Sequence, residues 1–171
     1  MIHSLLDRAY LACVWIAGLS IFCMSIIIPW GIFSRYVLGT GSQWPEPVSI
    51  LFMVMFTFFG AAAGVRASTH ISVEMVTDRV SPALKKIAGH LVNMFMIVLS
   101  LFMVIWGAKL CLGTMQQTVP DLPWMPVGIT YLPVPLGGLM TLLFVLERTF
   151  FGAQTHRKVI KIDPEIKEDA N

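Results

Sequence analysis

Charge is scarce in this sequence: Lys, Arg, Asp and Glu make up 13% of 171 residues, where soluble domains carry about a quarter. With 56% hydrophobic residues and a mean hydropathy of +0.75, that scarcity excludes an ordinary water-soluble fold. Cysteines are few and unpaired. Cys13, Cys23 and Cys111 form no CxxC pair and show no metal-type spacing, so a dithiol redox enzyme is excluded and the three read as small apolar packing residues. Histidines are scarcer still where a haem would need them. A four-helix b-type cytochrome requires axial histidines facing one another at one depth, yet only His90 falls inside an apolar run, while His3, His70 and His156 fall outside. Central carboxylates are missing too: Glu46, Glu74, Asp78, Asp121 and Glu147 lie at the ends of apolar runs or between them. A small multidrug exporter would want one in its first helix. No internal repeat is present.

What remains is hydrocarbon-spanning length. At roughly 20 apolar residues per span, four stretches qualify: 9–34, 47–65, 87–112 and 127–150. The first follows Arg8, but its apolar run exceeds a signal-peptide core of about 7–15 residues and no small-residue cleavage site precedes Arg35. It reads as a retained anchor. The expected fold is an all-α integral membrane protein of four transmembrane helices, forming one domain over 1–152 with a charged tail at 153–171.

Four spans put both termini and the middle connection on one side. That side carries Arg8, Arg66, Arg79, Lys85, Lys86, Arg148, Arg157, Lys158, Lys161 and Lys167, whereas the other keeps only Arg35 and Lys109. The positive-inside rule therefore places the termini in the cytoplasm. Trp44, Trp106 and Trp124, with Tyr36, mark the outer ends as interfacial aromatics, and Lys109 can snorkel there with its stem along the hydrocarbon.

Trp44, Pro45, Glu46 and Pro47 open the second span. Prolines suit a first turn whose N–H groups lack partners, and Glu46 meets the positive end of the helix dipole. Capping and docking of a partner are equally open roles for that carboxylate. Gly60 and Gly64 form a GxxxG pattern that permits close helix packing. Arg66 and His70, four residues apart, share a face at the inner end; for Arg66 the simple reading is a headgroup anchor. Val73, Val76, Val80 and Leu84 alternate at helical spacing with Glu74, Asp78, Ser81 and Lys85, which predicts a short amphipathic helix over about 71–80 in the membrane interface. His90 and Asn93 read as interhelical hydrogen-bond partners. Pro120, Pro123 and Pro126 shape the second outer connection, and Pro133 and Pro135 should kink or delay the fourth helix.

The order Gln43, Trp44, Glu46, apolar span, Gly60 to Gly64, Arg66, His70, Ile71 and Val73, followed later by Pro120, Asp121, Leu122, Pro123 and Trp124, resembles the small membrane subunit of tripartite ATP-independent periplasmic (TRAP) transporters, the DctQ-type family. The likeness extends over nearly the whole chain. Many members have two adjacent acids after the tryptophan, whereas Glu46 here stands alone between prolines.

The resemblance implies a non-catalytic subunit of a sodium-coupled importer of organic anions, such as a C4-dicarboxylate or sialic acid, resident in the bacterial inner membrane. Its implied partners are the large elevator-type membrane subunit, a periplasmic substrate-binding protein and membrane lipids, with no nucleic acid and no cofactor or metal. Arg35, Gln43, Glu46 and Asp121 are then the expected docking residues on the periplasmic side, Gly60 and Gly64 the packing residues, and Arg66 and His70 the cytoplasmic interface. Two other classes fit the residues: a membrane anchor subunit of a redox complex and a small homo-oligomeric exporter.

Overall fold

The computed structural model describes residues 2–40, 43–67 and 82–151. The interfacial helix expected over 71–80, His70 and the tail at 153–171 lie outside them. The described chain forms α1 (Ile2–Tyr36), α2 (Pro45–Arg66), α3 (Pro82–Gly113), a hairpin of β1 (Thr118–Val119) and β2 (Leu122–Pro126), the short α4 (Val127–Tyr131) and α5 (Pro133–Phe151). Four segments are long and apolar enough to cross a membrane: Ser4–Tyr36, Pro45–Arg66, Ile87–Gly113 and Val127–Thr149.

The helices lie side by side in an open layer. α1 packs along α2, α2 along α5, and α5 along α3, with no comparable contact from α3 back to α1 among the described residues. This is half-finished packing by the standard of a closed bundle. Where lipid tails are as apolar as the side chains, helices gain little from hiding apolar surface and associate through close van der Waals fit instead. Small residues supply that fit. Ala62 and Ala63 on α2 let Cys13 of α1 and Phe144 and Val145 of α5 meet in one buried cluster with Phe59 and Tyr10. The outward faces keep large apolar side chains: Trp15, Leu19, Phe22, Ile26 and Trp30 recur on α1 at helical spacing, as do Leu91, Phe95, Val98, Phe102 and Trp106 on α3, all exposed.

Most hydroxyls in the spans find a partner on their own helix, since lipid offers none, with the buried Thr130 hydroxyl an exception that has no partner among the described residues. Ser20, Ser49, Ser100 and Thr141 each donate to the carbonyl four residues earlier, at 2.6–2.8 Å.

The fourth span breaks at Leu132, between α4 and α5, because Pro133 and Pro135 donate no hydrogen bond to the preceding turn. Within α5, Gly137 and Gly138 set the spacing of the layer. A Cβ on Gly137 would lie 2.6 Å from Phe58 Cβ on α2, and one on Gly138 2.9 Å from Met103 Cβ on α3. By contrast, a Cβ on Gly60 would meet only Ala17 of α1 at 3.9 Å and Phe56 at 4.0 Å, an ordinary contact. The close approach of α5 to α2 and α3 therefore lies at its adjacent glycines, whereas Gly60 stands at an ordinary distance from its neighbours.

The all-α fold carries one short hairpin between α3 and α4. β1 and β2 pair antiparallel, Val119 opposite Leu122, around a turn at Pro120 and Asp121. Leu122 and Met125 point inward and are buried, while Trp124 is 76% exposed. The Cys111 thiol donates to the Gly128 carbonyl at 3.0 Å, and Gly128 sits so close that a Cβ would be 2.5 Å from the Cys111 carbonyl oxygen. We expect Gly128→Ala to displace the hairpin base, at a cost of about 1–3 kcal/mol, and to speed maleimide labelling of Cys111 read by peptide mass spectrometry. Unchanged labelling would show that the hairpin yields elsewhere.

Candidate functional site

Two ionic clusters mark the ends of α2. Glu46 and Arg66 are twenty residues apart along it, or about 30 Å at helical rise, close to the thickness of the hydrocarbon core. Each cluster thus sits at one membrane boundary.

The cluster at the Arg66 end, the inner one by the positive-inside expectation, binds three helices. Arg66 ends α2, Asp7 lies in the second turn of α1, and Glu147 lies near the end of α5. The guanidinium donates from Nε to Glu147 Oε2 at 2.8 Å and from Nη2 to Oε1 at 3.1 Å, a parallel fork. Nη2 also donates to Asp7 Oδ1 at 2.7 Å. The side chains of Arg66 and Glu147 are each 1% exposed. The rings of Tyr10 and Phe144 lie 5.5 and 5.4 Å from the guanidinium carbon, within cation–π range. Only arginine combines a planar fork with faces that stack on aromatics. Nη1 is buried and has no hydrogen-bond partner among the described residues.

Arg66 is therefore not the exposed headgroup anchor that its position suggests. Its charge is neutralised inside the chain, and Asp7 and Glu147, which sequence reasoning did not single out, are its partners. One signal was available. Glu147 falls within the fourth span, and a carboxylate there calls for a cation at matching depth.

The outer cluster is looser. Arg35, in the last turn of α1, approaches Glu46 at 3.7 Å, with side chains 53% and 70% exposed. Gly39, at φ 61°, turns the chain between these helices in a conformation that glycine adopts without strain. Trp44 caps α2 without a side-chain hydrogen bond. Gln43 and Asp121 are also exposed at this end, but Asp121 lies on the hairpin turn, away from the Arg35 and Glu46 pair in sequence and element. Trp106 and Lys109 form a unit on α3, with the ammonium 5.0 Å from the ring centroid.

Beneath Arg35 and Glu46 a cavity of about 340 Å³ runs between α1 and α2, walled chiefly by Met24, Ile28, Ile32, Ile50 and Met53. Among the described residues no group of three or more His, Cys, Asp or Glu is placed to hold a metal ion. The arrangement offers two charged boundaries and broad apolar faces.

Comparison with known proteins agrees with this architecture. Residues 24–155 match the family model described as "Tripartite ATP-independent periplasmic transporters, DctQ component". The chain is 20% identical over 146 residues to a protein of Haemophilus influenzae that bears the name TRAP transporter small permease protein, covering 85% of this chain and 88% of that one. It is 26% identical over 127 residues to the C4-dicarboxylate TRAP transporter small permease protein DctQ of Rhodobacter capsulatus, covering 68% of this chain and 52% of that protein. With a model match that spans most of its length and four membrane-spanning helices, this multi-pass inner-membrane chain belongs to the DctQ component family of tripartite ATP-independent periplasmic transporters.

Proposed function

We propose that the chain is the non-catalytic small membrane subunit of a sodium-coupled importer of an organic anion, and that it braces the large membrane subunit while its outer rim helps receive the substrate-loaded binding protein. The observation that carries this reading is the open helix layer. A layer that leaves one long apolar stripe on α1 and another on α3 suits a protein whose remaining surfaces pack on a partner and on lipid. The buried ionisable side chains Arg66 and Glu147 bond each other, which favours a structural role for them over a translocation path. An elevator requires something fixed in the bilayer to move against, and a layer of helices on its scaffold widens that fixed part.

In this reading the ends joined by Asp7, Arg66 and Glu147 face the cytoplasm, and Arg35, Gln43, Glu46, Asp121 and the exposed Trp124 face the periplasm. The solute, whether a C4-dicarboxylate, sialic acid or another carboxylate, is selected by the binding protein and the large subunit.

The test is reconstitution. Purification of the tagged chain from its native membrane should bring down a larger hydrophobic subunit in equal amount, and sodium-dependent uptake should require both together with the binding protein. Uptake by this chain alone, or recovery of a haem or flavoprotein, would replace the proposal. Within the assembled system, Glu46→Lys combined with Asp121→Lys is expected to weaken the apparent affinity for the loaded binding protein several-fold while leaving the membrane complex intact, because rim charges act mainly on encounter. Unchanged uptake kinetics would remove the docking role.

A further inference from the structure

The cavity between α1 and α2 has the dimensions and polarity of one phospholipid leaflet. Along α1 its lining runs from Arg35 at the mouth through Ile32 and Ile28 to Met24, eleven residues or about 16 Å. That is half of a hydrocarbon core of about 30 Å. Its walls are apolar and open sideways, with Ile28, Ile32, Ile50 and Met53 all exposed. The one hydroxyl deep in the lining, on Ser49, is already bonded to the Pro45 carbonyl at 2.7 Å. Gly31 shapes the narrow part, where α1 approaches α2 closely enough that a Cβ would lie 2.9 Å from Pro45 Cβ.

Such a trough in a membrane takes hydrocarbon, since water gains no partners from its walls. The mouth specifies more. It presents one cation and one anion, Arg35 and Glu46, at 3.7 Å with more than half of each side chain exposed. An exposed pair this loose holds itself together weakly, so both groups are available to a ligand that carries the complementary pair. A phosphate suits the arginine fork, and a primary ammonium can donate hydrogen bonds to the carboxylate.

We propose that this groove is a binding site for a single zwitterionic aminophospholipid of the phosphatidylethanolamine type, with one acyl chain between α1 and α2, its phosphate on Arg35 and its ammonium on Glu46. An anionic lipid would satisfy Arg35 but face Glu46 with no cation, and a choline headgroup offers Glu46 no N–H donor. The site depends only on the membrane setting of the chain and stands whether or not the outer rim docks a binding protein. A headgroup seated there would become part of the surface that the rim presents.

The test is native mass spectrometry of the full chain, delipidated in mild detergent and titrated separately with dioleoyl phosphatidylethanolamine, phosphatidylcholine and phosphatidylglycerol. A one-to-one adduct with phosphatidylethanolamine is expected at about fivefold lower concentration than with the other two. Glu46→Gln should erase the preference over phosphatidylcholine while retaining an adduct. Arg35→Gln should weaken both, and Ile28→Trp, which fills the trough from an exposed position, should abolish both without lowering the melting temperature. Equal adducts for all three lipids, a preference for phosphatidylglycerol, or a preference indifferent to Glu46→Gln would overturn the assignment. Loss of the adduct once the large subunit is bound would give the groove to that partner instead.

Discussion

Arg66→Met is expected to destabilise the protein by about 3–5 kcal/mol, the usual cost of removing one member of a buried ion pair. The reason lies less in the lost attraction than in what remains. Glu147, with a side chain 1% exposed, loses the two-pronged fork from Arg66, and Asp7, 22% exposed, loses its 2.7 Å contact. Arg66→Lys should fall between, since an ammonium lacks the planar fork that reaches both Glu147 oxygens and Asp7 together. The decisive variant is Arg66→Met with Glu147→Met, because replacing a whole buried pair with apolar groups of similar volume is often neutral. The cycle should therefore be strongly non-additive, with the double variant melting above the Arg66→Met single variant. A single variant that melts like the wild type would show that the cluster contributes no net stability. Uptake in the assembled transporter separates two roles. If the double variant regains stability and uptake together, the cluster is a fastener for α1, α2 and α5; if it regains stability alone, the charges take part in transport.

Much of this architecture is legible in the sequence, and what is not fails for identifiable reasons. Span number follows from hydropathy, because an apolar run of twenty or more residues has few alternatives. The break at Leu132 follows from Pro133 and Pro135. Lateral order does not follow, since one sequence of apolar helices contains no statement about which helix neighbours which; that α2 and α5 are the inner members of the layer comes from packing at Ala62, Ala63, Gly137 and Gly138. Glycine spacing points to Gly60 and Gly64, and at Gly60 it does not mark a close approach, because a small residue does so only where the facing side chain or backbone fills the space. At Gly60 that neighbour is the equally small Ala17. The partnership of Arg66 was hidden by counting basic residues alone, a rule that assigns topology well but takes no account of acids at the same depth. The hairpin was hidden by its length, since two strands of two and five residues leave no periodic signal.

These features have a common logic. In the proposed role, a subunit that braces a partner needs wide faces and a fixed internal geometry, two demands that a closed bundle meets poorly and an open layer meets only if it is fastened. The fastening is distributed. The inner ends are held by one arginine between two carboxylates, the middle by glycines that let α2, α5 and α3 approach, and the outer end by the Cys111 and Gly128 contact under the hairpin. α1 comes close to α2 at Gly31 but not at Gly18, where a Cβ would meet nothing within 4 Å, and at 35 residues it is the longest of the described helices. About 52 Å of helix cannot stand upright within a core of about 30 Å without tilting or projecting. The groove against α2 lies in its outer half, where the inner ionic fastening no longer acts.

The second large effect is expected at Gly137. Leucine there would place its Cβ 2.6 Å from Phe58 Cβ and 3.2 Å from the Phe58 carbonyl carbon and oxygen, and backbone atoms cannot rotate aside as a flexible side chain can. The two inner helices must then separate, at a cost at the upper end of the about 1–3 kcal/mol typical of overpacking or beyond it. Because α2 and α5 carry both Arg66 and Glu147, separation also strains the fork at their inner ends, so Gly137→Leu and Arg66→Met should be less than additive when combined. Gly60→Ala is the contrasting case. The new methyl would meet Ala17 at 3.9 Å, and losing a helical glycine is worth about 0.5–1 kcal/mol, so that variant should melt at or above the wild-type temperature. Thermal melts of the purified full chain, read by tryptophan fluorescence, would rank the two. A destabilised Gly60→Ala beside a tolerated Gly137→Leu would invert the assignment and place the tight seam of the layer between α1 and α2.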